Sequence, residues 1–263
     1  MITVGMDLGT QSVKTLILKD RQVIARAKAF SGFDPTKAAE QTVQEALSKA
    51  NLSISEVSGF AATGSGMEMA PYQAKTVSMM GADAKAGTFL FPKARTIIDV
   101  GAEEARAVKC DDKGLMVDFV VNERCAAGAG TFIEAMARAL EVKLDEMGPL
   151  ALKAERSSPI NASCVIFGES DVVSLIHRQE SKPKIARAVF DAMAERISSM
   201  VHRLGVNPDV VLIGGVAKDA GFVASLKRKL GVEILIPEYP EFAGALGAAL
   251  LAKALYDKGQ KTW

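Results

Sequence analysis

The sequence predicts an α/β protein built from two domains of one topology. One observation is a strand–turn–strand pattern near the N-terminus, in which Asp7 and Gly9 mark the end of the first strand. A second is that this pattern returns 92 residues further along the chain, with Asp99 and Gly101 in the same places. A third is that short apolar strand patterns alternate with helical patterns along the 263-residue chain. The repeat is too long for a solenoid unit, so it indicates two similar domains.

We place the boundary near Pro92, so that residues 1–93 form the N-terminal domain and residues 94–263 the C-terminal domain. The C-terminal domain is expected to become mostly helical after its third strand. Its last helix, rich in alanine and glycine, could pack back on the first domain. We expect a short helix over residues 144–154 to break near Gly148, which precedes a proline.

Both hairpins carry residues that suit a phosphate site. A turn with a glycine and exposed N–H and hydroxyl groups can wrap a phosphate. We expect the two hairpins, one in each domain, to point into the cleft between the domains. The plainer alternative is that each aspartate only caps a turn and each cation is a solvated strand end. The candidates are Asp7, Gly9, Thr10, Gln11, Ser12 and Lys14 in the first hairpin and Asp99, Gly101, Ala102, Glu103 and Arg106 in the second.

Composition excludes several classes of protein. Hydrophobic residues make up 49% and charged residues 24%, as in ordinary globular chains, and the formal net charge is only +1. We therefore expect no nucleic-acid partner. No apolar run approaches the roughly 18 residues of a membrane helix. Met1 leads directly into strand-like sequence without a basic segment, so we expect no signal peptide and a cytoplasmic protein.

The chain has three cysteines, and two of them stand where a loop turns into a helix. These are Cys125 and Cys164, whereas Cys110 lies in a strand pattern and is interpreted as structural. A thiol at a helix N-terminus has a lowered pKa and suits an anionic ligand or a metal cluster. The alternative for each cysteine is a small core residue. One chain cannot supply four thiolates, but two cysteines from each of two chains can.

A further glycine pair follows an apolar strand in the second domain. Gly214 and Gly215 end this strand, and such a turn allows close approach of a flat ligand or a phosphate. The segment Gly244–Ala249 then begins the last helix. Together with the two hairpins, these features resemble the acetate kinase, sugar kinase, Hsp70 and actin superfamily. The resemblance implies two actin-like (ribonuclease H-like) domains, with the hairpins as phosphate loops and the glycine pair at the adenosine.

Three segments point to one family within this superfamily. They are 124–132 around Cys125, 163–170 around Cys164 and 62–66, which includes Thr63. These segments look like the ATP-dependent activators of 2-hydroxyacyl-CoA dehydratases and the ATPase subunits of benzoyl-CoA reductases. The resemblance implies that Cys125 and Cys164 ligate a 4Fe–4S cluster, one per dimer. It also implies ATP and Mg²⁺, a homologous ATPase subunit across the cluster, a ferredoxin-like electron donor, and reductase or dehydratase subunits as the acceptor.

Within that resemblance, Asp7, Asp99 and Glu103 are the catalytic candidates, which position Mg²⁺ and the attacking water. Gly128 and Gly130 are expected to let one loop contact both nucleotide and cluster. Homodimeric activators usually carry a second glycine and then Gln-Asp after the D-x-G motif, whereas this chain has Ala102 and Glu103.

The departure favours the partner ATPase subunit of a benzoyl-CoA reductase. A homodimeric dehydratase activator is the alternative within the family. A small-molecule kinase and a non-hydrolytic ATP-sensing module are the alternatives outside it.

Overall fold

A computed structural model describes residues 1–122, 130–161 and 164–257, and it has the predicted α/β class. Cys125 and Gly128 lie outside the described residues. In chain order the elements are β1 (Ile2–Leu8), β2 (Ser12–Lys19), β3 (Gln22–Phe30), α1 (Pro35–Lys49), β4 (Gly59–Thr63), β5 (Lys75–Thr76), α2 (Met79–Leu90), β6 (Thr96–Val100), β7 (Ala105–Cys110), β8 (Met116–Val121), α3 (Gly130–Ala139), α4 (Leu144–Leu152), α5 (Val165–His177), α6 (Lys182–Leu204), β9 (Val210–Ile213), α7 (Ala220–Leu230), β10 (Ile234–Leu235) and α8 (Ala243–Asp257).

The strands form two five-stranded sheets with one topology. The first has the order β3-β2-β1-β4-β5 and the second the order β10-β9-β6-β7-β8, which is the same order taken from the other edge. In each sheet the central strand pairs antiparallel with the next strand in sequence and parallel with a strand that follows much later. The structure therefore confirms the repeat that the sequence indicates.

Contacts divide the chain into two compact units that interleave in sequence. The first unit gathers Met1–Ala94, Cys110–Val117 and the C-terminal residues from Glu241, and the second gathers Arg95–Lys109 and Asp118–Pro240. The domain limits 1–93 and 94–263 stay a prediction. Among the described residues, no helix combines the length and apolar character needed to cross a membrane.

Helices α1 and α8 pack on the sheet of the first unit. Helix α1 begins at Pro35 because proline suits the first helical position, and the Asp34 carboxylate accepts the N–H of Lys37. Helix α8 approaches β1 so closely that a Cβ atom at Gly5 would lie 2.0 Å from the carbonyl oxygen of Ala245. Only a glycine permits this backbone-to-backbone contact, which sets the last helix beside the strand that carries Asp7.

The second unit builds its core from helices around the second sheet. Three fully buried phenylalanines, Phe132 of α3, Phe190 of α6 and Phe222 of α7, belong to one continuous core cluster. Burying a phenylalanine side chain contributes roughly 1.5–3 kcal/mol relative to leaving it exposed. These helices therefore hold the second sheet and its hairpin on a rigid base.

Two helices differ from the sequence-based expectation. Helix α2 is not predicted from the sequence, because Gly81 and Gly87 interrupt the helical pattern; in the structure Ser78 caps its start by accepting the N–H of Gly81. Helix α4 continues through Pro149, so the expected break is wrong. Gly148 has a packing role instead, since a Cβ atom there would lie 2.7 Å from the Asp219 carboxylate.

Candidate functional site

The first hairpin places a carboxylate and an ammonium group side by side. Asp7 of β1 lies opposite Lys14 of β2, and the Lys14 Nζ atom lies 3.2 Å from Asp7 Oδ2. The turn closes with a hydrogen bond of 3.2 Å from the N–H of Gly9 to the carbonyl of Ser12. Thr10 is exposed at its tip. The hairpin thus combines a carboxylate, an ammonium group and an exposed polar turn.

Asp7 also faces the loop that follows β4, because Asp7 and Thr63 are register partners. Gly64 has φ +91°, and a Cβ atom there would lie 2.6 Å from Asp7 Oδ1 and from the carbonyl oxygen of Leu8. Glycine is required both by the backbone angle and by this contact. From sequence, this segment was noted only for its resemblance, and its contact with the carboxylate was missed. A glycine directly after a parallel strand was the available clue.

Thr63, the register partner of Asp7, and Gly244 lie next to Asp7 within the first unit. The Thr63 Oγ1 atom is buried and has no hydrogen-bond partner among the described residues. Gly244, in the first turn of α8, would bring a Cβ atom within 3.3 Å of Asp7 Oδ2. A buried hydroxyl oxygen without a partner beside a carboxylate is a donor set that a hydrated Mg²⁺ ion could use.

The second hairpin repeats the first, with an arginine in place of the lysine. Asp99 of β6 lies opposite Arg106 of β7, and the two side chains form an ion pair. Arg106 also binds Glu104 at 2.8 Å, and the N–H of Gly101 donates to the carbonyl of Glu104 at 2.9 Å. Glu104 was not among the residues selected from sequence. Glu103, which was selected, is exposed to solvent.

Gly214 occupies the position in the second unit that Gly64 occupies in the first. Its φ is +89°, and a Cβ atom there would lie 2.2 Å from Asp99 Oδ1 and 2.3 Å from the Val100 carbonyl oxygen. Gly215, by contrast, has no atom within 4 Å of an added Cβ. The predicted glycine pair therefore separates into one glycine packed on the carboxylate and one beside open space.

Beyond this turn, Asp219 caps helix α7. Its carboxylate accepts the N–H groups of Gly221 and Phe222 at 2.8 and 3.1 Å. Burial raises the pKa of Asp219, and these two hydrogen bonds oppose the rise without cancelling it. Asp219 therefore stabilises the helix start directly after the glycine turn.

The first residues of α3 lie against the second hairpin. The N–H of Gly130 donates to the Gly101 carbonyl at 2.9 Å, and the N–H of Thr131 donates to the Ala102 carbonyl at 2.8 Å. A Cβ atom at Gly130 would lie 3.3 Å from the Gly101 carbonyl oxygen, so a larger residue would crowd this contact. The structure thus brings together Gly101, Ala102 and Gly130, which were grouped at the nucleotide from sequence.

Cys164 immediately precedes helix α5 and occupies its N-cap position. Its thiol is free and partly exposed. The helix beyond it presents apolar side chains to solvent, including Ile166 at 71% and Phe167 at 60% exposure. Cys110 differs, since it is buried and its Sγ lies 3.6 Å from the Ala94 carbonyl, in keeping with a structural residue.

Helices α3 and α5, which follow the two candidate cysteines in sequence, pack on each other. The contact is close, because a Cβ atom at Gly168 of α5 would lie 2.8 Å from the ring of Phe132 of α3. Phe132 is fully buried in the second unit's core. A displacement of either helix would therefore shift the other.

The described residues contain no group of three or more His, Cys, Asp or Glu side chains that could hold a metal ion. Magnesium does not need such a cage, since it usually takes one or two carboxylates together with phosphate oxygens and water. Single aspartates such as Asp7 and Asp99 fit that pattern.

Comparison with known proteins gives a match over nearly the whole chain. The model of the BadF/BadG/BcrA/BcrD ATPase family matches residues 4–252. An activator of lactoyl-CoA dehydratase from Anaerotignum propionicum is 38% identical, covering 99% of this chain and 100% of its own. A subunit of the benzoyl-CoA reductase from Thauera aromatica is 31% identical, covering 98% of this chain and 95% of its own.

A solved structure has the same fold. It is the activator of the 2-hydroxyisocaproyl-CoA dehydratase from Clostridium difficile with bound ADPNP. Its TM-score to this chain is 0.92 at 33% sequence identity, and the match covers 99% of this chain and 97% of that one. The likeness agrees with the actin-like architecture that the resemblance to the superfamily implies.

Proposed function

Because the chain belongs to the BadF/BadG/BcrA/BcrD ATPase family, we propose that it is an ATP-hydrolysing activator of an enzyme that acts on CoA thioesters. The observation that carries the proposal is the matched pair of hairpins. Each pairs an aspartate with a cation across a glycine turn, Asp7 with Lys14 and Asp99 with Arg106. Each aspartate also packs on a glycine of positive φ that follows a parallel strand.

In this proposal the two hairpins are the phosphate loops. Backbone N–H groups around Gly9 and Gly101 bind phosphate oxygens, while Lys14 and Arg106 neutralise charge and hold the carboxylates in place. Asp7 and Asp99 are the residues that would hold Mg²⁺ or its water ligands, with Thr63 Oγ1 beside Asp7. Bound Mg²⁺ would neutralise the charge that develops on the phosphates.

The 4Fe–4S cluster is proposed to bind Cys164 and Cys125 from each of two subunits. Support for this comes from the free, partly exposed thiol of Cys164 at a helix start. The exposed apolar side chains of α5 beside it suit burial against a second subunit. Such a cluster would supply one-electron transfer at a potential set by its surroundings.

The second hairpin gives a physical link between the two sites. Gly101 and Ala102 accept hydrogen bonds from the first two residues of α3, and α3 packs on α5 through Phe132 and Gly168. A rearrangement of the hairpin on ATP hydrolysis would therefore move the helices that follow the cluster cysteines. This is the step by which hydrolysis would drive electron transfer onward to the partner enzyme.

For the acceptor, a 2-hydroxyacyl-CoA dehydratase is the first candidate. It is supported by the 38% identity to the lactoyl-CoA dehydratase activator, against 31% for the benzoyl-CoA reductase relative. The sequence pattern favoured the reductase, and that preference is not confirmed. It remains the second candidate because Ala102 and Glu103 replace the residues usual in homodimeric activators.

Anaerobic purification tests the cluster. We expect a brown protein with about four irons per dimer, the content of one 4Fe–4S cluster. Cys164→Ala should lose the iron, while the matched control Cys110→Ala should keep it. A colourless, iron-free wild-type protein after reconstitution would contradict the proposal and favour a small-molecule kinase.

Activity assays then separate the acceptors. The purified protein is mixed with reduced ferredoxin, ATP and either lactoyl-CoA dehydratase or benzoyl-CoA reductase subunits. ATP-dependent turnover of the dehydratase alone supports the first candidate, and turnover with the reductase subunits alone supports the second. ATP binding without hydrolysis in either mixture would favour an ATP-sensing module.

A further inference from the structure

Ser31 lies just after strand β3 and contacts the first phosphate loop twice. Its Oγ donates to the carbonyl of Gly9 at 2.7 Å. Its backbone N–H donates to the carbonyl of Gln11 at 3.0 Å. The serine is only 4% exposed, although its two acceptors are partly open to solvent. No motif in the sequence marks this serine, which precedes Gly32 in the short connection between β3 and α1.

These bonds matter because the loop is proposed to bind a negatively charged phosphate. Carbonyl oxygens carry partial negative charge and repel a phosphate, whereas N–H groups attract it. In this loop the carbonyls of Gly9, Gln11 and Ser12 each accept a hydrogen bond, from Ser31 or from Gly9 itself. A carbonyl held in this way cannot rotate toward the ligand. The loop is thereby fixed in an orientation suited to an anion before any anion binds.

The second hairpin meets the same requirement with other donors. There the carbonyls of Gly101 and Ala102 accept the N–H groups of Gly130 and Thr131, which are backbone groups of a helix. In the first hairpin the donor to the Gly9 carbonyl is a side chain, the Ser31 hydroxyl. That donor can be removed by substitution without altering the backbone.

We infer that Ser31 is a positioning residue for phosphate binding by the first hairpin, acting through the carbonyls of Gly9 and Gln11. The inference rests on the proposed ATPase function and adds a residue that neither hairpin contains. Ser31 does not touch the nucleotide in this assignment. It orders the loop that does, so its loss lowers ATP affinity more than it lowers the rate of bound ATP hydrolysis.

The test compares Ser31→Ala with Ser31→Thr in the full-length protein, using titration calorimetry with ATP and Mg²⁺. Ser31→Ala should raise the dissociation constant about three- to tenfold, the effect of one net hydrogen bond. Ser31→Thr keeps the hydroxyl and should stay within about twofold of wild type. The KM for ATP should rise in Ser31→Ala while kcat changes less.

Thr3→Val provides the matched structural control. Thr3 is buried in the same sheet, and its hydroxyl donates to the Ala249 carbonyl at 3.0 Å, at the end of β1 remote from the loop. This variant should lower the melting temperature and leave ATP affinity unchanged. Should Ser31→Ala fail to fold, Ser31→Cys replaces it, because a thiol has similar size and is a weak donor.

Two results would overturn the assignment while leaving the ATPase proposal intact. One is wild-type ATP affinity in Ser31→Ala and Ser31→Cys. The other is an equal loss of affinity in Thr3→Val, which would make the effect one of general destabilisation. Absence of ATP binding by the wild-type protein is a different result, because it defeats the proposed function itself and Ser31's role with it.

Discussion

The two hairpins share a backbone plan but differ in what their loops are attached to. Asp7 and Asp99 each oppose a cation, and each packs on a glycine with φ close to +90°. The first loop is then held by Ser31, which belongs to a turn between a strand and α1. The second is held by the start of α3, in the segment that follows Cys125.

We propose that this difference lets the two copies of a duplicated fold serve different purposes. Each hairpin has a fixed carboxylate and oriented carbonyls, and this part of the structure is the same in both. The attachment is free to differ, so one loop is held by a local turn and the other is connected to the helices beside the proposed cluster. We therefore expect the second hairpin to be the one that transmits the nucleotide state.

The largest effect is expected at the glycines that contact the carboxylates. Gly214→Ala places a Cβ atom 2.2 Å from Asp99 Oδ1 at φ +89° and ψ 172°, a region open almost only to glycine. We expect a loss of about 3 kcal/mol or more in the free energy of unfolding. Gly64→Ala, with contacts at 2.6 Å, should lose somewhat less.

The control for this pair is Gly215→Ala, since nothing lies within 4 Å of its added Cβ. Chemical denaturation of the three variants gives the comparison. Equal stability of Gly214→Ala and Gly215→Ala would mean that the turn is not held against Asp99 as described.

Next in size is the effect of neutralising the aspartates. Asp7→Asn and Asp99→Asn should each lower the Mg²⁺-dependent ATPase rate about 100-fold, in line with losing one preorganised electrostatic contact. Asp118→Asn is the control, because Asp118 is exposed and its carboxylate accepts the N–H of the neighbouring Phe119. Steady-state rates with purified protein decide the matter, and an unchanged rate in Asp99→Asn would remove that residue from the mechanism.

Much of this arrangement was accessible from sequence, and the rest was not for identifiable reasons. The D-x-G repeat predicts both hairpins because strand, turn and strand are local features that recur at one spacing. The contact of Gly64 with Asp7 is not local, since it depends on the parallel pairing of β1 with β4. Ser31 was missed for the same reason. Its two acceptors lie 20 or more residues earlier in the chain.

Local sequence patterns mispredict one helix and leave one ion pair unnoticed. Glu103 stays a prediction as a catalytic residue; it is exposed, and the sequence pattern gives no sign that its neighbour Glu104 pairs with Arg106. Gly148 next to a proline suggested a helix break, but its role is to admit the Asp219 carboxylate. The contact of Gly148 with Asp219 is tertiary, because it joins residues about 70 positions apart, whereas the Glu104–Arg106 pair lies within one hairpin.

The pH dependence of stability tests a charged network within the second unit, centred on Asp191. Burial alone would raise the pKa of Asp191, but hydrogen bonds from Ser157, Ser225 and Arg228 outweigh it and lower the pKa overall. A lowered folded-state pKa means that this carboxylate stabilises the fold above its unfolded pKa of about 3.9 and ceases to do so as pH falls through the folded value.

Asp191→Asn should therefore cost about 1–2 kcal/mol at neutral pH, because charged hydrogen bonds are lost. The difference from wild type should shrink below about pH 4. Urea denaturation at several pH values measures it. A constant difference across the whole range would show that Asp191 does not act through its charge.

The smallest expected effect is on stability, when Arg106 and Lys14 are each exchanged for the other basic residue. Arg106 binds both Asp99 and Glu104, whereas the ion pair of Lys14 is with Asp7. Arg106→Lys should then destabilise by about 1 kcal/mol, because lysine cannot bind two carboxylates in one plane. Lys14→Arg should change stability by less than about 0.5 kcal/mol. If thermal denaturation gives equal shifts for both exchanges, the second ion pair of Arg106, with Glu104, does not add to stability.

The central claim is that both hairpins bind the phosphates of ATP. Hydrogen–deuterium exchange of the wild-type protein, with and without ATP and Mg²⁺, tests this most directly because it needs no partner enzyme. We predict that residues 9–12 and residues 101–104 both exchange more slowly when ATP is present. Protection of only one hairpin, or of neither, would contradict the account of two matched phosphate loops.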